Sequence, residues 1–491
     1  MKKYILTITA AILFAWQTLS FATSSVDVLI QKLQDKGILT YGEASQIKGE
    51  IASEEKNSQQ ASFKSLAPDW LSGLKISGDF RLRDQLERKK GSALSAPSEK
   101  TQTYNRGRIR ARLNFEDQIN DKLKLVVGIA TSGEKNGYGT GNPRSSNITF
   151  GGNNAGEGSF SKAPVVLSKA YVVYTPKDWL TLEGGQIDNP LWAPGNSALL
   201  WDPNVTPQGG AILLQKKLND YITPFSTSSF FVLKNWKDET LTQYTTGGTP
   251  ALTGYTIPHT DPYLFVTQDG IKGNLTDKFY YKGAFSWYNV NNPSHVWLDG
   301  QISTAATSAP TPLALSASGN SVGAQLWQDR YGYNLFGGAV DFGINNPFGE
   351  LLPSRISIPQ IGLFGEFYTN VIPSHQNNAW TMGAYLGNSA VNGWGTWKFT
   401  SSYQVLESDA WLDCFPNNDL YSGNANVAGW RQQLDIGLAK NVYFTLSYYN
   451  TNWYKYSATA VQGTSTSTAA NPYGIGSAPN NTYQFDLNLK F

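Results

Sequence analysis

One cysteine, two methionines and three histidines are all that the 491 residues contain. The lone Cys414 closes no disulfide within the chain. His259, His295 and His375 each lie in a turn-rich stretch close to a proline, and none shares a strand-like segment with a plausible nucleophile. A serine hydrolase needs a positioned base, so a catalytic constellation is not expected, and neither is a metal or a cofactor. Long apolar runs are missing too. The longest candidate, Tyr4 to Trp16, falls short of the roughly 18 residues a spanning helix requires. It follows Lys2 and Lys3 and precedes Ser20-Phe21-Ala22, the pattern of an exported leader spanning residues 1–22. Without those residues 37 basic side chains face 37 acidic ones, which argues against a nucleic-acid partner.

What the chain has in quantity is Gly 47, Tyr 26, Phe 23 and Trp 15, a composition of strands and turns. The exception is residues 23–68. Val26, Leu29, Ile30 and Leu33 are spaced as on a helix, Gly37 interrupts, and Thr40 with Glu43 opens a second helix, followed by a polar linker. From residue 69 to 491 the spacing predicts sixteen strands: 74–84, 104–116, 121–131, 166–175, 179–187, 209–217, 223–235, 262–275, 278–290, 332–344, 355–369, 378–388, 395–409, 429–438, 442–453 and 482–491. Long and short gaps alternate along the list, with 370–377 as the one short gap out of place. Tight turns on one side and long loops on the other are the mark of an up-and-down membrane barrel. Pro359, inside the eleventh predicted strand, removes a ladder donor and calls for a bulge or a later strand start. The fold expected is all-β, an antiparallel transmembrane barrel of about sixteen strands behind a short helical segment.

The second predicted strand, RGRIRARLNF, fixes which face meets lipid. Arg106, Arg108, Arg110 and Arg112 alternate with Gly107, Ile109, Ala111 and Leu113. Each guanidinium facing hydrocarbon would cost about 2–4 kcal/mol, so the row must face enclosed water. Arg81 and Arg83 in the first strand, and Lys124 in the third, fall on the same wet face. These seven residues are the expected pore lining, and they imply a local field favouring anions. The last eleven residues, NTYQFDLNLKF, put Tyr483, Phe485, Leu487, Leu489 and Phe491 on one face, as an outer-membrane assembly signal does. Between Asp188 and Gly209 the sequence carries Trp192, Leu199, Leu200 and Trp201 with four prolines, too apolar for an exposed loop. Folded into the barrel, it would be a constriction loop, with Asp188 and Asp202 facing the arginine row.

The stretches LIQKLQDKGILTYGEASQIKGEI, RLRDQLERKK, RGRIRARLNFED and KAYVVYTPKDWLTLEGGQIDNPLWAPGNSALLWDPNVTPQGGA resemble the putative porins of Gram-negative bacteria, over residues 26 to roughly 217. The chain departs from that family at Asn204 and Gln208, where acids are usual. The resemblance implies an outer-membrane porin with a periplasmic helical N-terminus, partnered by outer-membrane lipid and by the barrel assembly machinery. Its cargo would be small hydrophilic solutes, and its class implies a homotrimer. Two other readings stay open at this point: an envelope anchor using the segment at 26–55, and a barrel hydrolase.

Overall fold

The computed structural model describes residues 73–90, 101–132, 143–152, 162–233, 261–291, 332–349, 358–420, 423–454 and 480–491, with isolated positions 160, 235, 240, 241, 255 and 256. The leader, the helices at 26–55, His259, His295 and the glycine-rich GYGTG at 137–141 lie outside the described residues.

Sixteen strands form the wall: β1 Leu74–Lys90, β2 Thr101–Asn120, β3 Leu123–Thr131, β4 Val165–Lys177, β5 Leu180–Gln186, β6 Gln208–Gln215, β7 Thr223–Val232, β8 Tyr263–Asn274, β9 Phe279–Asn291, β10 Tyr333–Asn345, β11 Gln360–Asn370, β12 Asn378–Gly387, β13 Trp397–Leu406, β14 Val427–Ala439, β15 Val442–Trp453 and β16 Asn480–Lys490. Each pairs antiparallel with its sequence neighbours, and β16 returns to β1 with Leu82 opposite Leu487, so the sheet closes. Closure leaves no edge strand, which is how a β-structure satisfies its backbone in lipid. All sixteen expected strands are present. The eleventh begins at Gln360, one residue after Pro359, so the proline costs no ladder bond; its carbonyl accepts the Asn346 N–H at 2.7 Å. The thirteenth stops at Leu406, and residues 407–409 turn inward. The expected rhythm of short turns is looser than the spacing implied, since residues 346–359 and 388–396 are long connections on the side of the tight turns.

Burial along the terminal strand is inverted relative to a soluble protein. Gln484 and Asp486 are 1% and 4% exposed, whereas Phe485 between them is 40% exposed. The same inversion runs around the wall, with Ile76, Phe80 and Leu82 outside and Arg83 and Gln85 buried within. A wet interior and an apolar exterior are what a lipid-embedded barrel requires. At the seam, Gly78 N–H donates to the Phe491 carbonyl at 2.9 Å, and Phe491 N–H donates to the Gly78 carbonyl at 3.1 Å. The Phe491 ring lies where a β-carbon on Gly78 would stand, so only glycine admits it.

Among the described residues, two loops on the side of the long connections fold into the interior. Residues 187–207 bury Ile187, Leu199, Leu200 and Val205, and residues 407–426 bury Trp411, Leu412 and Leu420. They pack on the inward faces of β8 to β11, where Leu264, Val266, Tyr288, Tyr333, Leu335 and Tyr368 are nearly inaccessible. The apolar core of the molecule is therefore inside the barrel, against one wall.

Candidate functional site

Beside this apolar core the described residues enclose a cavity. It has a volume of about 1070 Å³ and runs between the inward loops and the wall made by β13 to β16, β1 and β2. Eight cationic side chains and six carboxylates line it. Arg81 and Arg83 on β1 border it beside Arg110 and Arg112 on β2, two residues apart on each strand and so on one face. Arg106, Arg108 and Lys124 face inward but do not line it: Arg106 pairs with Glu87, Arg108 donates to Gln85 at 3.3 Å, and Lys124 reaches Glu116 at 3.5 Å.

The arginines at the cavity are neutralised in part by carboxylates from the same wall. Asp79 accepts from Arg110 at 2.7 Å and from Arg112 at 2.7 Å. Arg83 makes a two-pronged pair with Asp486 at 2.7 and 2.8 Å, the strong geometry for guanidinium and carboxylate. Its remaining nitrogen reaches Asp419 of the loop 407–426 at 3.2 Å. Burial alone would raise the Asp419 carboxyl, but Arg83, Arg81 and Arg108 outweigh it and hold the group well below the ordinary carboxylate range.

The loop 187–207 packs inside the barrel and is tied to the wall at several points. Trp192 N–H donates to Gln268 at 2.8 Å, Ser197 donates to Glu366, and Arg431 donates to the Asn196 carbonyl at 3.2 Å. Gly195 sits at φ +57°, and the Phe364 ring occupies the space a β-carbon there would need, a position only glycine fills without strain.

The expectation that Asp188 and Asp202 face the arginine row is corrected by this geometry. Asp188 accepts from Lys169 at 2.8 Å and from Tyr171 at 3.0 Å, on β4. Asp202 is 3% exposed and serves as a loop clasp: it accepts from the backbone N–H groups of Asn204 and Asn418, each at 2.8 Å. Both acids still border the cavity, together with Trp192 and Trp201.

The loop 407–426, which supplies the acid that does meet the row, was not anticipated. It locks to its partner loop through Trp411, whose indole N–H donates to the Leu200 carbonyl at 2.8 Å, and through Trp201 stacked on Phe415 at 4.9 Å. Arg144 donates to the carbonyls of Asp413 and Gly423 at 2.9 and 2.7 Å. A signal was available: ESDAWLDCFPNNDL between two strands is as apolar as the stretch at 188–209.

Among the described residues no group of histidine, cysteine and acidic side chains could hold a metal. His375, the described histidine, lies in the exposed connection 371–377.

A family model described as putative porin matches residues 88–322 and 365–491, well over half of the chain. Solved structures similar to this chain include OprB of Pseudomonas putida, at 9% identity over 85% of this chain and 94% of that one with a TM-score of 0.46. The outer-membrane channel DcaP of Acinetobacter baumannii is similar at 11% identity, over 85% and 97%, with a TM-score of 0.39. A triple mutant of Rhodopseudomonas blastica porin is similar at 8% identity, over 85% and 100%, with a TM-score of 0.36. No curated protein matches significantly.

Proposed function

The chain belongs to the putative porin family of outer-membrane channels, and from that membership we propose that it passes small hydrophilic solutes by diffusion, with a mild preference for anions. The observation that carries the preference is the charge of the cavity wall, eight cations against six carboxylates. In a narrow lumen with low-dielectric walls, such an excess raises the local concentration of anions. Arg81, Arg83, Arg110 and Arg112 contribute half of those cations. The inward loops narrow the passage, so solute size is limited at the level of Trp192 and Trp201. No chemistry on the solute is part of this reading, because the lining groups are arranged as ion pairs and hydrogen-bonded clasps rather than as a nucleophile with its base. The same reading takes the alternating residues Tyr483 to Phe491 as the signal for the barrel assembly machinery, and includes a homotrimer.

The test is electrical. Purified protein in a planar bilayer should give discrete conductance steps, with a reversal potential displaced toward that of chloride under a potassium chloride gradient. Absence of steps would remove the channel reading; a displacement toward potassium would remove the anion preference.

A further inference from the structure

We propose that charge selection occurs at the periplasmic mouth, between Lys398 and Lys490, rather than along the arginine row. This rests on the anion preference proposed above and locates it. The arginines are poorer candidates because carboxylates stand beside them and cancel part of their charge: Arg83 has two carboxylate partners, Arg81 lies 3.7 Å from Asp486, and Arg110 and Arg112 share Asp79. Lys398 is the second residue of β13 and Lys490 the last of β16, both at the end of the barrel that carries the tight turns. Both line the cavity. Among the described residues neither has a carboxylate oxygen within ion-pair distance. Each ammonium instead lies over a tyrosine ring, Lys398 over Tyr385 at 4.8 Å and Lys490 over Tyr443 at 5.0 Å. A ring face holds the cation in place without cancelling its charge or using up all its N–H donors.

The passage is also narrowed at this level. The connection 388–396 is much longer than the two-residue turn 440–441 beside it, and Ser389 to Asn392 line the cavity. Asn441 N–H donates to the Asn392 side chain at 3.0 Å. Gly437 faces inward, and its missing side chain leaves the space that the Gly393 carbonyl occupies. The acids on this face are all engaged elsewhere: Asp79, opposite Lys490 in the register, pairs with Arg110 and Arg112, Tyr385 donates to Asp341 at 2.6 Å, and Thr445 and Gln433 donate to Asp435, opposite Lys398, at 2.5 and 2.9 Å. An anion arriving at the mouth therefore meets ammonium groups without an ion-pair partner, whereas the acids beside them are held by arginines or by hydrogen bonds from the wall.

The experiment compares reversal potentials under a potassium chloride gradient for the full-length channel, Lys398→Gln/Lys490→Gln, Lys398→Arg/Lys490→Arg and Arg112→Gln, each checked for heat-modifiable migration as a sign of a closed barrel. The glutamine pair should lower the chloride-to-potassium permeability ratio by about threefold, the arginine pair should keep it, and Arg112→Gln should move it less than the glutamine pair. An anion-selective wild type whose ratio survives the glutamine pair, or falls further in Arg112→Gln, overturns this location while leaving the anion preference intact. A wild type without anion preference overturns both. Should the glutamine pair fail to close its barrel, Lys490→Gln alone is read against the same outcomes.

Discussion

The two halves of the interior are built on opposite rules. The inward face of β1, β2 and β16 is charged and open to the cavity, whereas the inward face of β8 to β11 is apolar, aromatic and covered by the two loops. In the first half side chains satisfy one another across neighbouring strands, as Asp486 and Arg83 do. In the second half the strands leave Leu264, Val266 and Tyr288 uncovered by any neighbour in the sheet, and only an incoming loop can bury them. The difference teaches that a porin lumen can be shaped by a hydrophobic contact as much as by an electrostatic one.

The most drastic way to break this contrast is to remove the cover. Deleting residues 190–203 should raise single-channel conductance several-fold and expose the apolar wall to water, detectable as increased binding of a hydrophobic dye; an unchanged conductance would show that the loop does not constrict. Trp411→Ala attacks the same contact at its centre. The indole is fully buried between Trp201, Tyr288 and Tyr333, and its loss should destabilise the folded barrel by about 3–5 kcal/mol in a denaturant titration.

On the charged side, Arg83→Gln should cost roughly 3–5 kcal/mol, because the buried Asp486 would lose its two-pronged partner and keep only Arg81 at 3.7 Å, while Asp419 would lose its direct ion pair. Arg112→Gln, whose side chain is 35% exposed and whose partner keeps Arg110, should cost less than about 1 kcal/mol. Equal effects for the two arginines would mean that burial does not separate them. The smallest effect expected concerns the clasp between the loops. Burial pushes the Asp202 carboxyl up to about 6, against hydrogen bonds from Asn418 and Asn204 that act the other way. A group raised on folding contributes stability below its unfolded value and loses it as pH climbs through the folded value. Resistance to heat should therefore rise as pH falls from about 7 to about 5, and Asp202→Asn should flatten that rise. Asp419, held low, stays ionised over this interval and does not oppose the trend.

The charged half was legible in the sequence and the covered half was not, for one physical reason. Alternation reports the two faces of a strand only when they meet different media. β2 separates Arg108 and Arg110 from Ile109 and Ala111, so its inward face could be named before any coordinates. β8 begins Tyr263-Leu264-Phe265-Val266, apolar on both faces, because lipid lies on one side and a loop on the other. That two-sided apolarity was itself the clue that something covers the inner wall. The tryptophans and leucines of 187–207 are conspicuous in the sequence, but the partners of its acids are not: Asp202 precedes Pro203 and Asn204 in a turn whose own N–H groups claim the carboxylate. The partner of Arg83 in the loops, Asp419, is over three hundred residues away in sequence, and spacing carries no information at that range.

The bonds between Gly78 and Phe491 carry a last consequence. Gly78 and Phe491 lie about four hundred residues apart, so the wall closes only once β16 has formed, and the two bonds between them extend the β1–β16 pairing by one position. A separation of that size makes closure of the ring, β1 against β16, a slow step in folding.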